Sequence, residues 1–162
     1  MAGTTDMPES GMWWENRKKM VGIVNHEHEG KKWESKYSDS LGNDILETII
    51  VDGLFMAINK KKIKKNFNEN FKGFHFYDIP FCFDNYLEGV KVGVITNIRI
   101  THKSIGQTNE QWEINRQNFA NKYQSELPIN ILPQDQNETF IFCHDQKLIL
   151  ETKIPLLVYP NN

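Results

Sequence analysis

Apolar residues are grouped in short runs along most of the chain and in helical stripes in two places. Runs at 20–24, 45–51 and 92–100 predict strands, and a break near 96–97 is an alternative for the last of them. The polar residues 26–32 continue the first run into a hairpin-like segment. From residue 78 the spacing of apolar positions becomes i, i+4, i+7, i+8 and i+11, which is typical of one face of a helix. This stripe consists of Ile79, Phe83, Tyr86, Leu87 and Val90.

Local sequence signals set the ends of two predicted helices. Pro80 is tolerated only in the first turn, so the first helix should begin near Asp78, and Gly89 should end it. Thr108 and Gln111 form a capping-box pattern, with Thr108 as the expected N-cap of the second helix. That helix should end before residue 128, and its stripe is aromatic: Trp112, Phe119 and Tyr123.

The two ends of the chain carry weaker patterns. Residues 1–19 are rich in turn-forming types, and we expect a loop there. The tail has short apolar runs at 139–143, 148–151 and 156–159, with 144–147 as the turn of a hairpin. The expected fold is α/β in the mixed α+β sense, with a mixed sheet, two main helices and a C-terminal β-hairpin. We expect a domain over 1–127 and a Pro-rich tail over 128–162, which can be the start of a further domain.

Bulk composition excludes several classes of protein. With 39% hydrophobic and 25% charged residues in 162 positions, the chain is globular rather than disordered. A formal net charge of −2 argues against a nucleic-acid-binding protein. No apolar run is long enough to span a bilayer. Cys82 and Cys143 lie in apolar surroundings without disulfide or zinc spacing, which indicates free thiols and a cytoplasmic protein.

A carboxylate and an imidazole at element ends are the leading candidates for chemistry. Asp78 stands at a helix start, where it can cap free N–H groups or act as a general base, and the two roles are compatible. His102 follows a strand, and no second metal ligand lies near it in the sequence. His26 and His28 share one face of a strand and can chelate a metal with a distant histidine such as His144; a polar edge strand is the alternative.

Two further patterns each allow two interpretations. Trp13 and Trp14 are either core residues or a stacking platform for a sugar or base. Five lysines within residues 60–65 form either a solvated short helix or a surface that faces phosphates or an anionic acceptor.

Five segments, taken in order, resemble part of a known family. They are 51–58 (VDGLFMAI), 67–71 (FNENF), 73–82 (GFHFYDIPFC), 89–94 (GVKVGV) and 101–104 (THKS). The chain is similar to the second, acceptor-side half of GT-A fold glycosyltransferases of the family 2-like kind, in particular the group named after the streptomycin-biosynthesis protein StrF. The resemblance implies a nucleotide-sugar-dependent transferase with a hydroxyl acceptor, either a saccharide or a lipid-linked molecule.

The resemblance also implies roles for individual residues. Asp78 takes the position of the catalytic base of an inverting transfer, and Tyr77 that of its usual acidic neighbour. His102 takes the place of a ligand to a divalent metal, Mn or Mg. Asp52 and Gly53 form a turn that lines the acceptor side near the donor sugar, and Trp13 and Trp14 are further candidates for sugar binding.

The chain departs from the family pattern at its start. The nucleotide-binding half and its Asp-x-Asp-like motif are not found, so we expect an incomplete and inactive glycosyltransferase. An unpaired sheet edge would then favour a homodimer. The alternatives are a sugar- or nucleotide-binding module without chemistry, and a small metal-binding protein that uses His26 and His28.

Overall fold

The computed structural model describes residues 1–37, 45–73, 75–103 and 108–131, together with the backbone of three strands between 140 and 159. Its strands are β1 (Ala2–Thr4), β2 (Asp6–Met7), β3 (Met20–His28), β4 (Lys31–Lys36), β5 (Ile45–Thr48), β6 (Ile50–Val51), β7 (Val92–Ile95), β8 (Thr101–His102), β9 (Ile129–Asn130), β10 (Phe140–His144), β11 (Lys147–Glu151) and β12 (Leu157–Tyr159). Its helices are α1 (Asp78–Leu87) and α2 (Glu110–Lys122), and a 3-10 turn spans Arg17–Lys19. The mixed α+β class is confirmed, and the architecture is consistent with a partial GT-A-like domain.

The largest sheet is mixed in direction. Its order is β4-β3-β1-β6, and β8 lies against β3 as the parallel neighbour, with His26 opposite His102. Smaller antiparallel sheets pair β2 with β9 and β5 with β7. In the tail, β10, β11 and β12 form a three-stranded meander, and the pairing of His144 with Lys147 confirms the expected hairpin.

The expectation that residues 1–19 form a loop is wrong, because β1 and β2 lie there. The sequence of β1 lacks apolar alternation since its neighbours approach too closely for large side chains. A Cβ added at Gly3 would stand 2.5 Å from the Ile50 carbonyl oxygen and 2.8 Å from a Val94 methyl carbon. A small residue in this strand therefore reflects close backbone packing rather than a turn.

Two further expectations are wrong at the level of local hydrogen bonding. The N-cap of α2 is Asn109 rather than Thr108, because the Asn109 side chain accepts a hydrogen bond from the Trp112 N–H at 2.8 Å. The lysine run forms turns and not a short helix. The Lys64 and Lys65 N–H groups donate to a side chain of α1, so they are not part of a helical ladder.

Two predicted strands are each divided. The apolar run at 45–51 becomes β5 and β6, which pair with β7 and β1 respectively and flank the fully buried Ile49. The run at 92–100 ends as a strand at Ile95, bends at 96–97, and β8 follows. These bends carry the chain from one sheet to another.

Aromatic side chains of the two helices form the centre of the core. Phe83 of α1 and Phe119 of α2 are fully buried, with ring centroids 5.2 Å apart in an edge-to-face arrangement. Phe76 and Tyr123 also pack on Phe119, at 5.7 Å and 4.7 Å. Such ring pairs contribute roughly 0.5–1.5 kcal/mol each beyond their buried area. The start of α1 is thereby held firmly relative to α2.

Buried asparagines on both helices hold the irregular chain between β6 and α1. Asn85 accepts hydrogen bonds from the Lys64 and Lys65 N–H groups at 2.8 Å and 3.1 Å, and its amide donates to the Lys65 carbonyl at 3.0 Å. Asn115 donates to the carbonyls of Lys72 and His75 at 2.8 Å and 3.3 Å. Side chains therefore replace the hydrogen bonds that regular structure would supply.

Candidate active site

The candidate site is the contact between the Asp52–Gly53 bend and the first turn of α1. Gly53 donates its N–H to the Asp78 carboxylate at 2.6 Å, and its carbonyl accepts the Tyr77 hydroxyl at 2.9 Å. The second carboxylate oxygen of Asp78 accepts the Ile79 N–H at 3.0 Å. The structure therefore brings together four of the predicted site residues: Asp52, Gly53, Tyr77 and Asp78.

Gly53 is required by this contact. A Cβ built on it would stand 2.5 Å from the Tyr77 Oη, 2.8 Å from its Cζ and 2.9 Å from Asp78 Oδ2. These distances are shorter than van der Waals contacts allow, so any larger residue would push the bend away from α1. Glycine serves here to bring the backbone next to two functional side chains.

Asp78 is not an N-cap in the usual sense. Tyr77 occupies the N-cap position of α1 without a side-chain cap, and Asp78 is the first helical residue, with one oxygen directed at Gly53 across the gap. Burial raises the pKa of Asp78 to about 6, with the nearby Asp52 charge contributing to the rise and the Gly53 N–H opposing it. A carboxyl group that titrates near neutrality suits proton transfer.

Asp52 is a second half-buried carboxyl group near the first. Burial raises its pKa above the usual value, while the Leu54 N–H and the charges of His102 and His26 oppose that shift. Two neighbouring carboxyl groups disfavour simultaneous ionisation because their negative charges repel each other. This repulsion helps to raise the pKa of Asp78.

Three aromatic rings from neighbouring strands extend the site. His26 stacks on Trp33 of β4 at 4.9 Å between ring centroids, and it lies 6.0 Å from His102 of β8. Burial lowers the pKa of His26, and the charge of His102 lowers it further. Pairing of β3 with β8 therefore brings His102 close to the Asp52 region, although fifty residues separate the two in the chain.

The backbone just before α1 is strained. Phe76 adopts a φ of 72°, which is uncommon for a residue other than glycine. This conformation buries the Phe76 ring among core aromatic residues and leaves Tyr77 38% exposed. Residues held in such conformations often belong to functional sites. Here the strained residue directly precedes Tyr77, whose hydroxyl donates to the Gly53 carbonyl.

The residues present do not by themselves make a metal site. Within the part of the chain that the structure describes, no three His, Cys, Asp or Glu side chains come together in a way that could hold an ion. His26 also has Ser35 as a hydrogen-bond partner, at 3.1 Å. The metal role of His102 stays a prediction, and no step below is routed through a metal. The alternative site of His26, His28 and His144 includes a side chain outside the described residues.

The two adjacent tryptophans lie in the core region. Trp13 is buried and meets Trp14 edge to face at 5.4 Å, while Trp14 lies 5.1 Å from Trp112 of α2. Their rings thus take the core arrangement that was weighed against a stacking platform. The structure does not bring them into the Gly53–Asp78 contact, and a sugar-binding role for them stays a prediction.

Comparison with known proteins decides the family. Residues 1–126 match the model of a glycosyltransferase-like family, which covers more than half of the chain. The chain belongs to the glycosyltransferase-like family. No curated protein and no solved structure matches it at a significant level. In this family member, no helix within the described ranges is long and apolar enough to cross a bilayer.

Sequence reasoning missed two features of the candidate site. The carboxyl pair of Asp52 and Asp78 was not foreseen as a pair, because Asp52 was considered only as part of a turn. His26 was considered with His28, but the structure places its ring near His102. The parallel pairing of β3 with a two-residue strand produces that neighbourhood, and two residues carry no strand signal in the sequence.

Proposed function

We propose that the chain provides the base and the acceptor side of a nucleotide-sugar-dependent glycosyltransferase. The observation that carries the proposal is the contact of Gly53 and Asp78 in a chain of this family. It fixes a carboxyl group with a pKa of about 6 at the start of a helix. A general base works best when its pKa is near the working pH.

In the proposed reaction, Asp78 removes the proton from an acceptor hydroxyl group. The acceptor O–H bond breaks as the oxygen attacks the anomeric carbon of the donor sugar. The bond from that carbon to the phosphate oxygen breaks, and its electron pair leaves with the nucleoside diphosphate. Attack from the opposite side inverts the anomeric configuration. Each Asp78 oxygen already accepts one N–H group and retains a lone pair for the acceptor proton.

Other residues of the site hold the base in place. The Gly53 N–H fixes the rotamer of Asp78, and Tyr77 fixes Gly53 through its carbonyl. Burial is the main cause of the raised Asp78 pKa, and the negative charge of Asp52 adds to it. We propose Asp52, Gly53 and Tyr77 as positioning residues that also border the acceptor. His102 is the candidate for contact with the donor, directly or through a divalent ion.

The test is a transfer screen on the purified chain. A panel of nucleotide sugars, with manganese present, is incubated with saccharide and lipid-linked acceptors, and products are detected by mass spectrometry. In contrast to the inactivity expected from the missing Asp-x-Asp-like motif, the proposal predicts a product of acceptor plus one sugar with the wild-type chain and none with the Asp78→Asn variant. Calorimetry with UDP and GDP, with and without manganese, gives the complementary binding measurement. Binding that the Asp78→Asn substitution leaves intact, without transfer under any condition, would favour a binding module instead.

A further inference from the structure

The irregular segment between β6 and α1 exposes apolar and cationic side chains together. Eight large hydrophobic side chains are exposed in the described part of the chain, and half of them come from this one segment. These four are Phe55, Ile58, Phe67 and Tyr77. Five lysines within residues 60–65 lie between them in the sequence. The reaction proposed above uses none of this except Tyr77.

Contacts with α1 place the two kinds of side chain on one surface. Asn85 holds the backbone at Lys64 and Lys65, and its amide also donates to the carbonyl of Phe81, one helical turn earlier. The ring of Phe67 stacks on Phe81 at 4.2 Å between centroids. The backbone of Lys64 and Lys65 and the ring of Phe67 therefore contact the same side of α1, one turn apart.

The same surface continues to the rim of the candidate active site. Phe67 lies 6.2 Å from Tyr77, whose hydroxyl donates to Gly53, and Phe55 follows Gly53 by two residues. We call the set of Phe55, Ile58, Phe67 and the lysines of residues 60–65 the lysine–phenylalanine surface.

The charge of this surface contrasts with the rest of the chain. Lys65 pairs with Glu88 at 2.9 Å. The other lysines of the run have no carboxylate within 4 Å among the described residues, and they are exposed. Five positive charges thus gather within six residues of a chain whose formal net charge is −2.

We infer that the lysine–phenylalanine surface binds the face of an anionic lipid bilayer. Exposed aromatic and aliphatic side chains enter the boundary between head groups and acyl chains, while lysines bind the acidic head groups. Ile58 favours this partner over a single-stranded nucleic acid, because the platforms on which bases stack are built from aromatic rather than aliphatic side chains. The inference does not depend on sugar transfer, although it would bring the Asp78 region to a membrane.

The first experiment is vesicle co-sedimentation of the purified chain. Vesicles of phosphatidylcholine alone are compared with vesicles of phosphatidylcholine and phosphatidylglycerol in equal parts. We expect binding to the anionic vesicles only, weakening as sodium chloride is raised. Each lysine near an anionic surface contributes about fivefold to partitioning, so Lys61→Gln/Lys62→Gln should weaken binding about 25-fold. The matched control is Lys31→Gln/Lys32→Gln, exposed lysines of β4, which should change binding less than about twofold.

A second pair of variants tests the contribution of the apolar side chains of the lysine–phenylalanine surface. Phe55 is 48% exposed, and Ile114 on α2 is 44% exposed. Phe55→Ser should weaken binding to anionic vesicles about tenfold, whereas Ile114→Ser should leave it unchanged. Thermal melting verifies that each variant is folded, and the salt titration of the wild-type chain tests the charge requirement without any variant.

Several results would overturn the inference. They are absence of binding to anionic vesicles, binding insensitive to salt, or equal losses in the surface variants and their controls. Binding of single-stranded RNA that requires Lys61 and Lys62, with vesicles ignored, would identify a nucleic acid as the partner instead.

Discussion

Replacing Gly53 by alanine should disrupt the candidate site without unfolding the chain. The backbone of Gly53 does not adopt a left-handed conformation, so alanine meets no left-handed backbone penalty there. The cost is steric, because the new Cβ would meet the Tyr77 Oη at 2.5 Å and Asp78 Oδ2 at 2.9 Å. Either the bend or the start of α1 must move.

The expected loss of stability in the Gly53→Ala variant has two contributions. Overpacking of this kind costs about 1–3 kcal/mol. Moving the bend also weakens the Gly53 N–H bond to the Asp78 carboxylate, and a bond to a charged group is worth about 1.5–3 kcal/mol. The two overlap, so we expect a loss of about 2–4 kcal/mol in the free energy of unfolding, measured by urea titration.

A double-mutant cycle with Tyr77→Ala shows whether the contact between the added Cβ and Tyr77 causes the loss of stability. Tyr77→Ala removes two of the three atoms nearest to the added Cβ, so the double variant should be more stable than additivity predicts, by about 1–2 kcal/mol. Gly30→Ala is the control, since no atom lies within 4 Å of the added Cβ. Its only expected cost is about 1 kcal/mol, because alanine is disfavoured at the positive φ of Gly30. A Gly53→Ala variant as stable as the wild type, or a coupling near zero, would refute the reasoning.

Three further predictions concern buried polar groups. Because the folded pKa of Asp78, about 6, lies above its unfolded value, the wild-type chain should lose stability as pH rises from 4 to 6. The Asp78→Asn variant should therefore have a higher melting temperature than wild type at pH 8 and the same one at pH 4. A lower melting temperature of the variant at pH 8 would contradict this. Asn85→Ala removes several buried hydrogen bonds and should cost about 2–4 kcal/mol in urea titrations, whereas Asn118→Ala on the exposed face of α2 should cost less than about 0.5. Burial raises the pKa of Cys82 to about 12, so a thiol reagent should label it in peptide maps only after denaturant is added; rapid native labelling of Cys82 would contradict its burial.

Elements with strong periodicity or clear termini were predicted well. Pro80 and the apolar stripe set α1 within one or two residues, and the aromatic stripe did the same for α2. In α2, the residues that define the pattern are also those that fill the core, so local and tertiary signals agree. In α1 this holds for Ile79 and Phe83, whereas Leu87 is 41% exposed because it lies in the last turn, and the helix ends before Val90.

Elements defined by long-range contact could not be predicted. The three residues of β1 carry no strand pattern of their own. β1 is a strand because it packs closely against Ile50 and Val94 at Gly3. The conformation of the lysine run depends on Asn85, twenty residues away. Likewise, the neighbourhood of Asp52, His26 and His102 requires β8 to lie beside β3. In each case the deciding partner is distant in sequence, where periodicity gives no information.

The central claim is that Asp78 is the base of a sugar transfer. The most direct measurement compares the transfer rate of wild type and Asp78→Asn at saturating donor and acceptor, with donor affinity measured alongside. The account predicts a rate at least about a hundredfold lower with donor affinity unchanged, and a wild-type rate that rises with pH through about 6. A variant that transfers sugar at the wild-type rate, with the same dependence on pH, would contradict it.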